Sequence, residues 1–418
     1  MQEDTGVLKK LVTLGLIAVL VVAPTQYGVE VAKKAYISPV DPLIWLVTLL
    51  WFIDVLRSRG WSSVKWPPLF SLLFIAMAVV SWLKAIPSLK SFKDVFQLVE
   101  YFVAAYMLFV SHFTDLRLLR KAVTAVLVVA TVVLTLGLIH YWNPSTQAFN
   151  VRATFLNRNV LGGYLALMLP LFFGLMLYDS RWIQRIWCLI VVIAGLCVTL
   201  SGGTLIALTL ALGILAMMKS QKAFAVLAAA SLIIATLASP LLPRNNGAIL
   251  YNSIRLYDDS NEVSRRYTEW EAAATMTLEN PWAGVGIGNY QDNIGGYYGS
   301  LPRPPGTTSE HDSQNLYLVI ASSAGIVGLL AFLGMLIFFA VQAASAYYRT
   351  VDPWFKGLSL GLFGSILAFS INSIWSPLLV RGIGVPLVFV LSLSAVVGAS
   401  RNSGQSVAAS CDRAAGPE

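Results

Sequence analysis

The chain has 418 residues, of which 57% are hydrophobic and only 12% are charged, and its mean hydropathy is +0.70. A soluble domain carries roughly 25% charged residues, so this composition excludes an ordinary soluble fold and places most of the chain in lipid. The net charge of +8 indicates lysine and arginine retained on the cytoplasmic side of a membrane rather than a surface for nucleic acid.

Hydropathy predicts twelve membrane-spanning helices, each near the length that a hydrocarbon core of about 30 Å requires. The predicted spans are residues 8–24, 41–56, 67–83, 95–113, 122–142, 160–178, 183–200, 204–218, 223–242, 316–346, 355–375 and 384–399. Because the stretch 316–346 is longer than one crossing, a half-helix is expected to precede the span proper. The predicted fold is an all-α integral membrane protein with about 12 transmembrane helices and one large periplasmic loop that contains short helices.

The one long polar segment divides the chain. Residues 1–242 carry transmembrane helices 1–9, residues 243–315 form a periplasmic catalytic loop, residues 316–400 carry helices 10–12, and residues 401–418 form a disordered cytoplasmic tail. With the N-terminus inside, sixteen basic residues fall on the cytoplasmic side and thirteen outside. Long loops translocate largely regardless of charge, and without the five in the long loop the outer count is eight. Both termini are therefore predicted to be cytoplasmic.

Two kinds of side chain in the long loop point to chemistry on a phosphorylated substrate. Arg265 and Arg266 are adjacent, and a guanidinium group donates two parallel hydrogen bonds to anionic oxygens. His311 lies in the polar stretch SEHDS, and an imidazole can take a proton from a hydroxyl near neutral pH. A loop histidine is often merely solvated, but the flanking carboxylates favour a catalytic role. Together these groups predict transfer from a phosphate-activated lipid at the membrane surface.

Residues 264–279 have helical character, with Ser264 as a cap and Arg266 and Trp270 on one face. Asn280-Pro281 is expected to end this helix. The glycines that follow are expected to form a flexible turn that passes close to a ligand: Gly284, Gly286 and Gly288. A glycine run of this kind can also mark a dinucleotide-binding site. Here it lacks the preceding strand and the following helix of that fold, which excludes such a site. An amphipathic helix lying on the membrane surface is the alternative for residues 264–279.

Two other outer segments are predicted to join the same site. Residues 151–171 read VRATFLNRNVLGGYLALMLPL, in which Asn157 and Asn159 stand at the start of a helix, where a polar cap and the positive dipole end favour anions. The second segment is the tight turn TLSGGTL at residues 199–205. Every outer basic residue from position 152 onward is arginine, beginning with Arg152 and Arg158, which is typical of a site that grips a diphosphate.

Over roughly residues 150–335 these motifs resemble the O-antigen ligase and polymerase superfamily. The family pattern of Arg, Trp four residues later and N-P-x-x-G-x-G-x-[FY] is similar to Arg266, Trp270 and residues 280–290. The family's H-N-x-[YF]-L helix start and downstream G-x-x-G resemble residues 314–318, which include Gln314, Asn315 and Tyr317, and residues 325–328. The N-P-N motif is similar to residues 157–159.

Two departures from the family pattern stand out. The family commonly has Ser-Arg-Gly in the short outer turn, where this chain has Ser201-Gly202-Gly203, and Arg158 is a candidate to supply the lost charge. The family histidine directly before asparagine is Gln314 here. His311 lies three residues earlier, about one helical turn away if residues 311–315 are helical. These departures fit a divergent polymerase or another surface-glycan transferase better than a simple ligase.

The resemblance implies inverting glycosyl transfer, without metal or cofactor, from an undecaprenyl-diphosphate-linked glycan donor to a glycan or a lipid A-core acceptor. Arg266, with Arg265 or Arg158, would hold the diphosphate, and His311 would deprotonate the acceptor hydroxyl. The implied location is the bacterial inner membrane, with a periplasmic active site among membrane lipids. The three cysteines, Cys188, Cys197 and Cys411, show no spacing of a metal site or a disulfide framework.

A secondary transporter of an organic anion remains the alternative from a different class. Twelve spans are usual for transporters, and Glu100 is an ionisable residue inside a predicted span. The chain shows no internal repeat between its halves. Glu100 can equally be a structural carboxyl group that faces other helices.

Overall fold

The computed structural model of the chain describes residues 2–26, 28–32, 35–60, 64–85, 89–142, 151–155, 157–199, 201–238, 262–299, 314–379 and 382–399. Three parts of the sequence predictions lie outside these described residues: residues 243–261 and 300–313 of the long loop, the latter including His311, and the tail 401–418.

Helices make up nearly all of the regular structure. In chain order they are α1 (Gln2–Val22), α2 (Val40–Asp54), α3 (Leu69–Lys84), α4 (Leu89–Val99), α5 (Tyr106–His112), α6 (Leu116–Trp142), α7 (Arg158–Tyr178), α8 (Trp182–Val198), α9 (Gly202–Lys219), α10 (Gln221–Ala238), α11 (Glu262–Glu279), α12 (Tyr290–Asn293), α13 (Leu316–Arg349), α14 (Pro353–Asn372) and α15 (Gly384–Ala399). Two π-helical turns, Val55–Arg59 and Glu100–Ala105, extend α2 and join α4 to α5.

Each of the twelve predicted spans coincides with one of these helices or with the continuous α4–α5 unit. Six segments of the described chain are long and apolar enough to cross a membrane: Leu89–His112, Leu116–Tyr141, Arg158–Tyr178, Gly202–Lys219, Leu316–Arg349 and Pro353–Asn372. Further apolar helices of the described chain are shorter, at 10–17 residues. The chain is a multi-pass helical membrane protein, and the count of twelve crossings stays a prediction.

The all-helical class is confirmed, and one short hairpin is the departure from it in the described chain. Val29–Ala32 (β1) and Ala35–Ile37 (β2) pair antiparallel, with Val29 opposite Ile37 and Glu30 opposite Tyr36. Valine, isoleucine and tyrosine are enriched in strands, and this segment carries all three in a short run. Hydropathy averaged over a membrane-length window cannot detect two strands of three or four residues. The sequence analysis therefore does not predict this hairpin.

The core is built on α7 and α14, which pack with their backbones almost in contact. The α7 span is 89% buried. A Cβ added at Gly361 of α14 would stand 2.6 Å from the carbonyl oxygen of Leu171, and one added at Gly174 would collide with the backbone of Gly357 and Gly361. Small residues allow this approach, which gains dispersion energy in a solvent where the hydrophobic effect between helices is absent.

Helix α13 is broken near its start. Gly325 has φ 76° and ψ 176°, a conformation outside the helical region, and it separates residues 316–324 from the long apolar stretch 326–349. The predicted half-helix before the tenth span is thereby confirmed. The break frees backbone groups of residues 322–326 from the helical pattern, so these groups need hydrogen-bond partners elsewhere in the chain.

Candidate functional site

Helix α11 starts at Glu262, two residues before the predicted start. Ser264 therefore lies within the first turn, and the prediction that it caps the helix was wrong. The helix ends at Glu279, directly before Asn280-Pro281, as predicted. The Nδ2 group of Asn280 donates to the carbonyl oxygen of Met276 (3.3 Å) and to the hydroxyl of Tyr297 (3.2 Å). The helix end is thus tied to the segment that follows it.

The second half of α11 packs on the short first part of α13. The Ser322 hydroxyl donates to the carbonyl oxygen of Ala273 (3.0 Å) and lies 2.9 Å from the Thr277 hydroxyl. Ala272, Ala273, Met276, Tyr290, Ile294 and Tyr298 form a buried apolar cluster against which Leu318 and Val319 pack. This cluster buries the apolar face of α11 within the protein, so the alternative of a helix lying freely on the membrane surface does not fit these residues.

The turn after α11 occupies the break in α13. The backbone N–H groups of Val285 and Gly286 donate to the carbonyl oxygens of Ser322 (2.8 Å) and Ser323 (3.1 Å), and the N–H of Ile326 donates to the carbonyl oxygen of Pro281 (2.8 Å). Backbone groups released by Gly325 are therefore satisfied by the loop, which is how an interrupted membrane helix is tolerated. The loop and the broken helix form one unit.

The three glycines of this turn all have positive φ: 64° at Gly284, 106° at Gly286 and 80° at Gly288. The turn conformation predicted for the three glycines is confirmed. The glycines bring the loop backbone close to other parts of the protein. A Cβ at Gly284 would collide with the backbone of Ser322 and Ser323, and one at Gly288 would stand 2.9 Å from the Asp94 carboxylate. The glycines therefore dock the loop onto α13 and α4, and their predicted contact with a ligand stays untested.

Replacement of Gly284 with alanine is expected to weaken this docking far more than the same change at Gly299. Both residues have left-handed φ values, 64° and 55°, so both alanines carry a similar conformational strain. At Gly284 the new methyl group meets backbone, whereas at Gly299 no atom of the described residues lies within 4 Å of it. We expect the overlap to add about 1–3 kcal/mol of destabilisation. Thermal unfolding of the two variants in detergent checks this, and equal melting temperatures would contradict it.

The start of α13 is fixed by its own residues and by α14. The Asn315 side chain caps the helix by accepting from the N–H groups of Tyr317 (3.0 Å) and Leu318 (3.2 Å). The N–H of Leu316 donates to the carbonyl oxygen of Ser373 (2.9 Å), and the Tyr317 hydroxyl donates to that of Ser370 (2.6 Å). Asn315 and Tyr317 therefore position this helix end, whatever they contribute to substrate binding.

Gln314 corrects one sequence expectation. Its φ is 49°, in the left-handed region, and Asn315 after it is extended with φ −132°. Residues 314 and 315 are therefore not helical, so the condition for a one-turn spacing, a helix over residues 311–315, is not met. His311 itself lies outside the described residues. A non-glycine residue with positive φ costs energy and is often found at a functional site.

The starts of α7, α9 and α13 meet around the end of α14. The Thr204 hydroxyl of α9 donates to the side-chain carbonyl oxygen of Asn372 (3.2 Å), and a Cβ at Gly162 of α7 would collide with Thr204. Gly203 lies against the Trp375 side chain, with 2.8 Å between a Cβ added at Gly203 and the Cβ of Trp375. The segments at 151–171, 199–205 and 314–318 are thus brought together at one end of the bundle.

Arg152, Arg158 and Asn159 lie in and after the turn that leads into α7. Arg152 is exposed, and its carbonyl oxygen accepts from the N–H of Phe155 (2.8 Å). Asn157 caps α7 by accepting from the N–H of Val160 (3.0 Å), and Arg158 and Asn159 are half-buried in the first turn. At Gly202, where the family commonly has arginine, an added Cβ would meet open space.

Arg266 and Trp270 stand in the first half of α11, which also contains Arg265. The side chains of Arg266 and Trp270 are half-buried. The Trp270 ring packs edge-on against the Tyr267 ring, with 5.7 Å between the ring centroids. Thr277 pairs with Ser322 and Pro281 with Ile326, each 45 positions later in the chain, so residues 277–281 and 322–326 run in the same direction. Arg266, eleven residues before Thr277 on α11, therefore lies toward the end of this pair at which α13 starts.

Glu269 and Tyr298 also lie in this region, and the sequence analysis does not predict either of them as a site residue. Glu269 is 9% exposed and Tyr298 is 1% exposed. Burial, with the Glu269 carboxylate nearby, raises the pKa of Tyr298 to about 12, so its hydroxyl stays protonated at neutral pH. The sequence does indicate Glu269, because it follows Arg266 by three residues and the two therefore lie on one face of a helix. Within the described part of the chain, no three His, Cys, Asp or Glu side chains could hold a metal ion.

Comparison with known families gives one match. Residues 187–333 match the family model described as O-antigen ligase. The resemblance to the O-antigen ligase and polymerase superfamily is confirmed. No curated protein matches the chain.

The O-antigen ligase match runs from within α8 to within α13 and includes Arg266, Trp270, the glycine turn, residues 314–318 and Gly325. It begins at residue 187 rather than near 150, so Arg152, Arg158 and Asn159 lie before it. The α7 start joins the O-antigen ligase region through packing, since Gly162 lies against Thr204, which is inside the match.

Proposed function

We propose that this O-antigen ligase-like protein transfers a glycan from an undecaprenyl-diphosphate donor to a glycan or lipid A-core acceptor at the periplasmic face of the inner membrane. The family match supports a role in surface polysaccharide assembly. The observation that supports the proposal further is that residues 277–281 and 322–326 run in the same direction. With this orientation Arg266 lies toward the start of α13, and the start of α13 meets the starts of α7 and α9 around the end of α14.

In this proposal Arg266 binds the donor diphosphate, assisted by Arg265 or Arg158. A guanidinium fork can hold two phosphate oxygens at once and keeps its charge at any pH that the cell meets. As the glycosidic bond breaks, negative charge grows on the departing diphosphate, and a fixed arginine stabilises that charge most in the transition state. Arg152, Asn159 and the edge of Trp270 are proposed to border the same pocket, together with Gln314, Asn315 and Tyr317.

His311 is proposed as the general base. It lies three residues before Gln314, and three residues of chain span at most about 11 Å. The acceptor hydroxyl oxygen attacks the anomeric carbon and gives its proton to the imidazole, while the bond from that carbon to the phosphate oxygen breaks. Undecaprenyl diphosphate leaves, and attack from the opposite face inverts the anomeric centre. The chemistry needs no cofactor in this scheme.

Transfer by purified protein is the test of the proposed function. Given a lipid-diphosphate glycan and a candidate acceptor in detergent, the protein is expected to release undecaprenyl diphosphate and to form a larger glycan conjugate, both resolved by mass spectrometry. Running the assay with a lipid A-core acceptor and, separately, with a second lipid-linked glycan separates a ligase from a polymerase. Flux of a labelled organic anion into proteoliposomes, without any transfer, would instead favour the transporter. In that case Glu100, which is 2% exposed between helices, becomes the residue to study.

A further inference from the structure

A groove of about 510 Å³ opens at the other end of the bundle, between the start of α1 and the junction of α5 with α6. It is lined by Lys9, Thr13, Ser111, His112, Thr114, Asp115, Arg117, Leu118 and Lys121. On α1, Lys9 lies fifteen residues before Pro24, whose carbonyl oxygen accepts from the Thr154 hydroxyl beside Arg152. At 1.5 Å per helical residue, the groove is about 20 Å from that turn along the helix.

The groove is cationic. Lys9, Arg117 and Lys121 are exposed there, and Asp115 is the single carboxylate among the lining residues, which leaves a formal charge of +2 with His112 neutral. Asp115 already serves the helix, because its Oδ1 accepts from the N–H of Arg117 (2.8 Å). The attraction for an anion therefore comes from the three basic side chains rather than from the end of α6.

Among the described residues, one more basic side chain lies close to the groove. Arg120, on the adjacent turn of α6, lies over the Trp354 ring, with 5.0 Å from its Cζ to the ring centroid. His112 is buried, and its Nδ1 lies 2.9 Å from the carbonyl oxygen of Leu108, so Nδ1 carries the proton and donates it in this bond. Thr13 donates to the carbonyl oxygen of Lys9 (2.9 Å) and keeps an oxygen lone pair at the groove.

The groove lies where two candidate membrane spans end. Leu89–His112 and Leu116–Tyr141 meet there, and His112 and Leu118 line it. The ends of membrane spans lie at the level of the lipid headgroups, where the anions that basic side chains meet are phospholipid phosphates.

We propose that this groove binds the phosphate of an anionic phospholipid headgroup. Lys9, Arg117 and Lys121 hold the phosphate, and the hydroxyls of Thr13 and Ser111 face the headgroup. The predicted topology places this lipid in the cytoplasmic leaflet, on the face opposite the proposed glycan site. The proposal does not depend on the glycan chemistry.

Native mass spectrometry of the full-length protein in detergent, titrated with phosphatidylglycerol, tests this site. Each basic residue at a membrane surface contributes on the order of a fivefold gain in affinity for anionic lipid, so the triple variant Lys9→Gln/Arg117→Gln/Lys121→Gln is expected to lose about 100-fold. Phosphatidylcholine should bind weakly to both proteins, because its headgroup carries no net charge. The single variant Arg117→Gln, expected to lose about fivefold, keeps the test available if the triple variant does not fold.

Lys222→Gln is the matched control, since Lys222 is an exposed lysine on α10 that does not line the groove. It should leave phosphatidylglycerol binding unchanged. A second arm uses inorganic phosphate in place of lipid. Competition by millimolar phosphate, with no preference for phosphatidylglycerol over phosphatidylcholine, would show a free-anion site and overturn the lipid assignment. Equal losses in Arg117→Gln and Lys222→Gln would show diffuse surface charge and overturn the groove.

Discussion

Replacing Arg266 with alanine is expected to lower the rate of glycan transfer by at least about 10²–10³-fold, the range seen when one fixed donor to a developing anion is removed. Arg266 is half-buried in α11, whose C-terminal half is held against α13 by Ser322 and Thr277. Because the helix is docked, the backbone of Arg266 does not have to be ordered when the diphosphate binds, which lowers the entropic cost of binding. The transfer assay with a lipid-linked donor measures this loss.

Two further substitutions make the Arg266 experiment specific. Arg266→Lys is expected to rescue poorly, because an ammonium group is a point charge without the planar fork that grips two oxygens. Arg265→Ala is the matched control, since the neighbouring residue faces about 100° away on the same helix and its loss should matter less. Mild and equal effects at both positions would indicate nonspecific surface charge and would remove the diphosphate clamp from the proposal.

Replacing His311 with alanine is expected to lower the transfer rate by about 10²–10⁴-fold while donor binding is retained, which is the usual cost of losing a general base. The acidic limb of the pH–rate profile should vanish at the same time, because the imidazole is the group whose deprotonation switches the reaction on as pH rises. The profile is measured with saturating donor, and donor affinity is measured separately.

His140→Ala is the control for His311, as His140 lies in the last turn of α6 and is not part of the segment that matches the O-antigen ligase model. Transfer by this variant should be unchanged. Gln314→His is not expected to rescue His311→Ala through a one-turn relation, since Gln314 has φ 49° and lies outside the helix. Near-normal turnover in His311→Ala would end the role of His311 and leave Glu310 or Asp312 as candidates for the base.

The glycine turn shows where local sequence was sufficient and where it was not. Positive φ at Gly284, Gly286 and Gly288 followed from the residue type, because only glycine enters that region without strain. Their partner did not follow, and they were expected to approach a ligand. The structure places them against α13 and α4 because Gly325 breaks α13 and exposes carbonyl groups that need donors. No pattern within residues 280–290 contains that information.

The sequence by itself determined the helices, the membrane environment, the half-helix before residue 325 and the family resemblance, since these depend on hydropathy, on glycine and proline, and on short motifs. The tertiary structure alone decided that residues 277–281 run in the same direction as residues 322–326. It also decided that Gly162 and Thr204 bring the starts of α7 and α9 together at Asn372, and that Lys9 lies with Arg117 and Lys121 in one groove. Such contacts link residues up to about two hundred positions apart, and they depend on how side-chain shapes fit between helices. Periodicity along one helix specifies which face is buried, but not which helix covers it.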